Sequence, residues 1–173
     1  MLVNQIITSC GHNNLLFGIV DICHESGLVA VTDMSAKSPR RPSVISIEDI
    51  AEKLKKKTWR LADSDFPPAM FLPDEALKQE WINKRDQALD AIRPIIDDAK
   101  LRFEYLFGDA SGVLKMLIER SGRSKKYVSS RLNRYFRWGS FDNALLPHYR
   151  NCGSNHSLRA APAMPKGSSL KPI

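Results

Sequence analysis

The stretch DASGVLKMLIERSGRSKKYVSSRLNRYFRWG, residues 109–139, decides the fold predicted for the C-terminal half of the chain. Asp109 is a suitable N-cap for a first helix, which Gly122 ends. Ser124 can cap a second helix, and Gly139 can stop it. Two helices joined by a short turn that contains glycine form a helix-turn-helix. The spacing therefore predicts this motif over residues 109–139.

The second helix of the motif has one apolar and one polar face. Its apolar residues recur at i, i+4, i+7 and i+8 and are predicted to pack in a core: Val128, Leu132, Tyr135 and Phe136. The other face offers hydroxyl, amide and basic groups, which read base edges and bind phosphates in a major groove. The base-edge candidates are Lys125, Lys126, Ser129, Ser130 and Asn133, and the phosphate-binding candidates are Arg134 and Arg137. The predicted DNA-binding set also includes Ser124, Tyr127, Arg150 and Arg159.

The positive charge of the chain is concentrated around this motif. The 173 residues have a formal net charge of +7. Residues 111–173 contain 12 Lys or Arg against two acidic residues, whereas residues 1–110 contain 14 against 17. An asymmetry of this kind indicates a polyanionic partner for the basic end, and double-stranded DNA is the partner predicted here.

The sequence predicts an α+β fold in four parts. These are a small β-rich module with a closing helix (1–57), a linker (58–73), the helix-turn-helix domain (74–146), and an extended or disordered basic tail (147–173). The aromatic residues of the linker favour a segment that packs along a surface over a free tether.

In the N-terminal module, 15–23 and 28–32 are predicted to form a hairpin, and 2–8 an edge strand. Ser46 is a candidate cap for a short helix with acidic residues first and lysines last. The basic residues before and within this helix could contact a DNA backbone, although a solvated face is the favoured interpretation: Lys37, Arg40, Arg41, Lys53 and Lys55 to Lys57.

Between the module and the motif, two helices are predicted. The first begins at Asp74 as cap and extends through Ile92, and Pro94 interrupts it. Because proline is tolerated as the first residue of a helix, Pro94 is expected to open the second, which Gly108 closes. This second helix would lie across the helix-turn-helix and complete a three-helix core.

Composition disfavours several other classes of protein. The three cysteines, Cys10, Cys23 and Cys152, cannot all pair, so reduced thiols in a cytoplasmic protein are expected. A zinc site is disfavoured because adjacent Cys23 and His24 on a strand point to opposite faces. No cofactor and no membrane partner are expected, since the chain has no phosphate-cradling glycine loop and no apolar run of about 18 residues.

The block YFRWG at residues 135–139, followed by NALLPHYRNCG at 143–153, resembles the N-terminal DNA-binding region of the TnsB transposases. In that family a recognition helix ends in an arginine, aromatic and glycine cluster and continues into an Asn-Ala-Leu, Pro, Tyr, Asn-Gly segment. The β-rich start, aromatic linker and helical lead-in of this chain follow the same order more weakly.

The resemblance implies a function in transposition, and with it a bacterial protein associated with the nucleoid. TnsB proteins bind repeated sites at transposon ends through paired N-terminal DNA-binding domains. A magnesium-dependent carboxylate triad then joins the cut ends to target DNA. This chain ends near the close of the first DNA-binding domain, and none of its carboxylates matches the triad, so it is expected to be a non-catalytic piece of a longer protein or a truncated gene product.

Three functions follow as hypotheses. The first is sequence-specific recognition of transposon-end repeats by a TnsB-like DNA-binding region. The second is a stand-alone helix-turn-helix transcription regulator that uses the β-rich module as a sensor or dimerisation surface. The third is an interaction module in which residues 1–60 bind another transposition subunit.

Overall fold

A computed structural model describes residues 1–10 and 15–147 and confirms the predicted α+β fold. A five-stranded antiparallel sheet has the spatial order β4-β3-β2-β1-β5. Its strands are β1 (Gln5–Ser9), β2 (Leu16–Cys23), β3 (Leu28–Asp33), β4 (Ser43–Ser46) and β5 (Trp59–Asp63).

Five α-helices accompany this sheet in the described residues. They are α1 (Ile47–Lys55), α2 (Gln79–Asp97), α3 (Ala99–Phe107), α4 (Ala110–Ser121) and α5 (Lys125–Arg137). Short 3₁₀ helices lie at Pro68–Phe71, Asp74–Ala76 and Asp142–Leu145. Across residues 1–10 and 15–147, no helix has the length and apolar character that a membrane crossing requires.

The sheet contains the predicted hairpin, but the strands beside it differ from the prediction. β2 and β3 pair antiparallel, as expected. β1 is not an edge strand, because it pairs with β2 on one side and β5 on the other. The linker prediction is wrong for residues 59–63, which form β5. Trp59 packs there against the core below α1, with the Lys53 ammonium 4.1 Å from its ring centroid.

The sheet is covered on both faces, which explains its alternating apolar residues. On one face Val29 and Val31 pack with Ile50 of α1. On the other, Ala30 joins a larger core formed by α2 to α5. Because neighbouring residues of a strand point to opposite faces, this strand serves both cores. The β-rich module and the helices are therefore in direct contact.

The break between α2 and α3 lies four residues later than predicted. Pro94 is inside α2, and the Asp98 amide donates to the Pro94 carbonyl at 3.0 Å. Asp98 then caps α3, its carboxylate accepting hydrogen bonds from the amides of Lys100 and Leu101. The missing amide of Pro94 suggested a break there. An aspartate is a stronger signal for the start of a helix, and Asp98 supplies it. Gly108 closes α3 as expected.

The caps predicted for the helix-turn-helix are confirmed. Asp109 accepts hydrogen bonds at the start of α4, and Ser124 Oγ accepts one from the Tyr127 amide at 3.2 Å at the start of α5. Gly122 has φ +62° and Gly139 has φ +77°, the left-handed conformation that favours glycine at a helix end. Ser46 likewise caps α1, as predicted.

Candidate nucleic-acid interface

The first half of α5 presents a polar surface to solvent. Lys125, Lys126 and Ser130 are exposed, and Ser129 is half-buried. Ser124 is exposed too, but its hydroxyl oxygen is engaged in capping the helix. The opposite side of α5 is fully inside the core, where Val128 and Leu132 are both 0% exposed. The apolar and polar faces therefore lie where the spacing predicted them.

A groove of about 490 Å³ follows this surface and has a second wall. One wall is α5, and the other is the loop between β3 and β4, at Ser38 and Pro39. Five predicted DNA-binding residues line the helical wall together with Arg131: Lys126, Ser129, Ser130, Asn133 and Arg134. The structure thus brings together side chains from the two predicted modules.

Asn133 lies beside a tyrosine from α3. The Tyr105 hydroxyl lies 3.4 Å from Asn133 Oδ1 and donates to it weakly. Burial raises the pKa of Tyr105 to about 12, so this hydroxyl keeps its proton at neutral pH. With Oδ1 directed at Tyr105, the Nδ2 donor of Asn133 is directed away from it. An amide donor held in this way is suited to an acceptor on a base edge.

Tyr127 supports neighbouring arginines. Its ring centroid lies 4.8 Å from the Arg131 guanidinium and 5.3 Å from that of Arg123, within the range of cation–π contacts. Tyr127 is half-buried and does not line the groove, whereas Arg131 does. Arg131 was not among the DNA-binding residues predicted from the sequence. Its basic charge beside the polar face was the available signal.

The two arginines near the end of α5 are directed at the protein. Arg134 donates through Nη2 to the Leu146 carbonyl and is half-buried. Arg137 is 7% exposed, and its Nη2 donates to the Met34 carbonyl at 2.8 Å. The prediction that Arg137 binds a phosphate is therefore corrected, because the sheet packs over this end of α5. Tyr135 and Phe136 are buried, as predicted.

Asn143 is a structural residue that sequence reasoning assigned no role. Its Nδ2 donates to the Leu72 carbonyl at 2.8 Å, and its Oδ1 accepts from Arg85 Nη1 at 2.9 Å. Arg85 is buried and also forms a bidentate ion pair with Asp74, from Nη1 to Oδ1 at 2.5 Å and from Nη2 to Oδ2 at 3.0 Å. This network joins α2 to the segment that precedes it and to the 3₁₀ helix that follows α5. The only sequence signal for it was the Asn-Ala-Leu block itself.

Several predicted residues lie outside the part of the chain that the structure describes. These are Arg150 and Arg159 of the DNA-binding set, and the predicted tail as a whole from residue 148 onward. Among residues 1–10 and 15–147, no three His, Cys, Asp or Glu side chains are grouped to hold a metal ion. Cys10 is exposed and Cys23 half-buried, and both are free thiols.

Comparison with known proteins finds a match for the helical part of the chain. Residues 85–149 match the family model described as the TnsB second domain. This match begins within α2, covers α3 to α5 and the 3₁₀ helix at Asp142–Leu145, and confirms the resemblance to TnsB for that segment. The resemblance had placed the segment at the first DNA-binding domain, whereas the matching model is that of the second domain. No curated protein matches the chain.

Proposed function

Because residues 85–149 match the TnsB second domain, we propose that this chain binds double-stranded DNA in a sequence-specific manner through the polar side of α5, from Lys125 to Asn133. The observation that supports the proposal is the exposed polar surface of α5, directly opposite its buried apolar face. The second helix of a helix-turn-helix inserts its N-terminal residues into the major groove. Those are the residues that remain accessible here.

The proposal gives the residues of α5 different roles. Ser129, Ser130 and Asn133 line the groove and offer hydroxyl and amide groups for base edges. Lys125 and Lys126, at the exposed N-terminal end, are suited to phosphates or to guanine acceptors. Arg137 has no part in the contact, because it is used inside the protein.

The DNA bound would be the repeated sites at the ends of a transposon, as in the TnsB transposases that the sequence resembles. We propose further that residues 1–173 bind without catalysing strand transfer. In support, several acidic side chains already have structural partners. Asp74 and Asp86 pair with Arg85, Asp98 and Asp109 cap helices, and Asp33 holds a turn.

Gel-shift titrations against the ends of the transposon and against scrambled duplexes test the proposal. We expect tighter binding to the ends and a steep loss of affinity as salt rises. Ser130→Asp should abolish binding, because it would place a carboxylate inside the major groove, between two negatively charged backbones. It should not unfold the protein, because the position is exposed.

Equal affinity for ends and scrambled duplexes would contradict sequence-specific recognition. Preference for a palindrome upstream of the encoding gene, with no preference for the ends, would instead favour a transcription regulator. Gln87→Ala, a change without net charge at an exposed position on α2, is the control that should leave both affinities unchanged.

A further inference from the structure

We propose that the loop between β3 and β4, residues 34–42, is a second DNA-contacting element that binds phosphates beside α5. This inference rests on the proposed function. It assigns a role to the β-rich module, for which the sequence alone favoured a solvated basic surface. The contacting side chains would be Lys37 and Arg40, with Arg41 as a positioning residue.

The loop is held firmly where it leaves β3. The Asp33 carboxylate accepts hydrogen bonds from the Ser35 amide (2.9 Å), the Ser35 hydroxyl (2.6 Å) and the Ala36 amide (3.0 Å). Next to this turn, the Met34 carbonyl accepts the hydrogen bond from Arg137 of α5. The start of the loop is therefore fixed relative to the recognition helix by a buried arginine.

The other end of the loop is held by the helical core. Arg41 Nη2 donates to the Tyr105 carbonyl at 2.9 Å, and its guanidinium lies 5.5 Å from the centroid of the Tyr105 ring. Pro42, the next residue, is buried. Tyr105 also donates to Asn133, so one tyrosine contacts both the loop and the proposed reading surface.

Between these two anchors lie the residues that face the groove and the solvent. Ser38 and Pro39 form the wall opposite α5. Lys37 and Arg40 stand on either side of this pair in sequence, and both are exposed. Neither forms an ion pair with an acidic side chain in the described part of the chain. Two positive charges are thus displayed beside the helix.

This arrangement fits duplex DNA for a geometric reason. A major groove admits one α-helix, and its edges are the two sugar–phosphate backbones. A loop that flanks such a helix therefore meets a backbone. Contacts to phosphates fix the register of a protein on the duplex and contribute affinity without reading sequence. Lys37 and Arg40 have the charge and exposure for this role.

The test is the salt dependence of binding by Lys37→Ala/Arg40→Ala, measured on the transposon ends and on scrambled duplexes. Losing two phosphate contacts should reduce the slope of log K against log salt by about two and weaken both duplexes by the same factor. The matched control is Lys55→Ala/Lys56→Ala, at the end of α1 on the opposite face of the sheet. It should leave the slope unchanged.

Arg41→Ala tests the positioning role. It should weaken binding in the wild-type background and have little further effect once Lys37 and Arg40 are alanine, because it acts through them. Fully additive losses would contradict that role.

The outcomes separate this inference from the function on which it rests. If Lys126→Ala lowers the slope and the loop variant does not, the loop makes no contact although α5 does, and the inference is overturned. If neither variant changes the slope, DNA binding by α5 fails as well. A loop variant that changes sequence preference would also contradict a contact made only to phosphates.

Discussion

The two halves of α5 contain the same kinds of residue and use them in different ways. In the first half, Lys125, Lys126 and Ser130 are exposed around a groove. In the second half, Arg134 and Arg137 donate to backbone carbonyls of other segments, and Arg137 is 93% buried. The polar side of α5 is thus accessible along the groove as far as Asn133 and Arg134, whereas Arg137 in the last turn is enclosed by the protein.

The difference shows that a basic residue on a polar helix face is not enough to predict a phosphate contact. A guanidinium has five donors and can satisfy carbonyls at the ends of neighbouring segments. At Arg137 the neighbouring segment is the β3–β4 loop, and at Arg134 it is the segment after α5. Which role an arginine takes is decided by what packs against its end of the helix.

The largest effect is expected from a charge placed on the inner face of the exposed half. Val128 is fully buried, so Val128→Asp would bury an unpaired carboxylate and should destabilise the helical domain by more than about 4 kcal/mol. Urea unfolding followed by circular dichroism measures this. Ser130→Asp, two residues further on, is the control and should change stability by less than about 0.5 kcal/mol. Similar losses for both would contradict the separation of the two faces.

A smaller effect is expected at the network that holds the segment after α5. Arg85→Ala leaves Asn143 Oδ1 without its buried donor and removes the ion pair with Asp74. We expect a loss of about 2–4 kcal/mol in the free energy of unfolding. Lys84→Ala, at an exposed position next to it, should change stability by less than about 0.5 kcal/mol. An equal loss in the two variants would contradict the structural role of the network.

The ion pair between Arg85 and Asp74 predicts that the free energy of unfolding depends on pH. Hydrogen bonding to Arg85 holds the pKa of Asp74 below its ordinary value of 3.8. A depressed folded-state pKa stabilises the fold above the unfolded pKa, and this contribution is lost as pH falls through the folded value. The difference in stability between wild type and Asp74→Asn should therefore be constant from pH 7 to about 5 and shrink below about pH 4. Unfolding curves of both proteins measure it, and a constant difference down to pH 2 would contradict the pairing.

Within the accessible half, Ser130→Ala removes one hydroxyl from the groove wall. We expect a changed preference at one base position, by about 1 kcal/mol, with stability unchanged. Competition binding with single-base variants of the site measures it. Ser140→Ala, exposed beyond the end of α5, is the matched control. A uniform loss over all sequences would show that Ser130 positions the protein and does not read a base.

Much of this fold was predictable because its signals are local. The caps at Asp109 and Ser124, the left-handed glycines and the apolar stripe of α5 all depend on residues within one or two helical turns. The β2–β3 hairpin was predictable for the same reason, because its strands are joined by a short turn.

The remaining features depend on contacts that are distant in sequence. β5 pairs with β1 across 50 to 58 residues, so residues 59–63 resembled a linker. Arg137 contacts Met34, and Asn143 contacts Arg85, at separations of 103 and 58 residues. The loop wall of the groove was unpredictable in the same way, because nothing local to Ser38 indicates the proximity of α5.

The most direct test of the difference between the two halves compares one cation from each half. Lys126→Ala should reduce the salt-dependence slope of duplex binding by about one and change stability by less than about 0.5 kcal/mol. Arg137→Ala should do the reverse, with a stability loss of about 1–2 kcal/mol and an unchanged slope at temperatures where the protein is folded. An unchanged slope for Lys126→Ala, or a reduced one for folded Arg137→Ala, would contradict the assignment of the first half to DNA and the second to the fold.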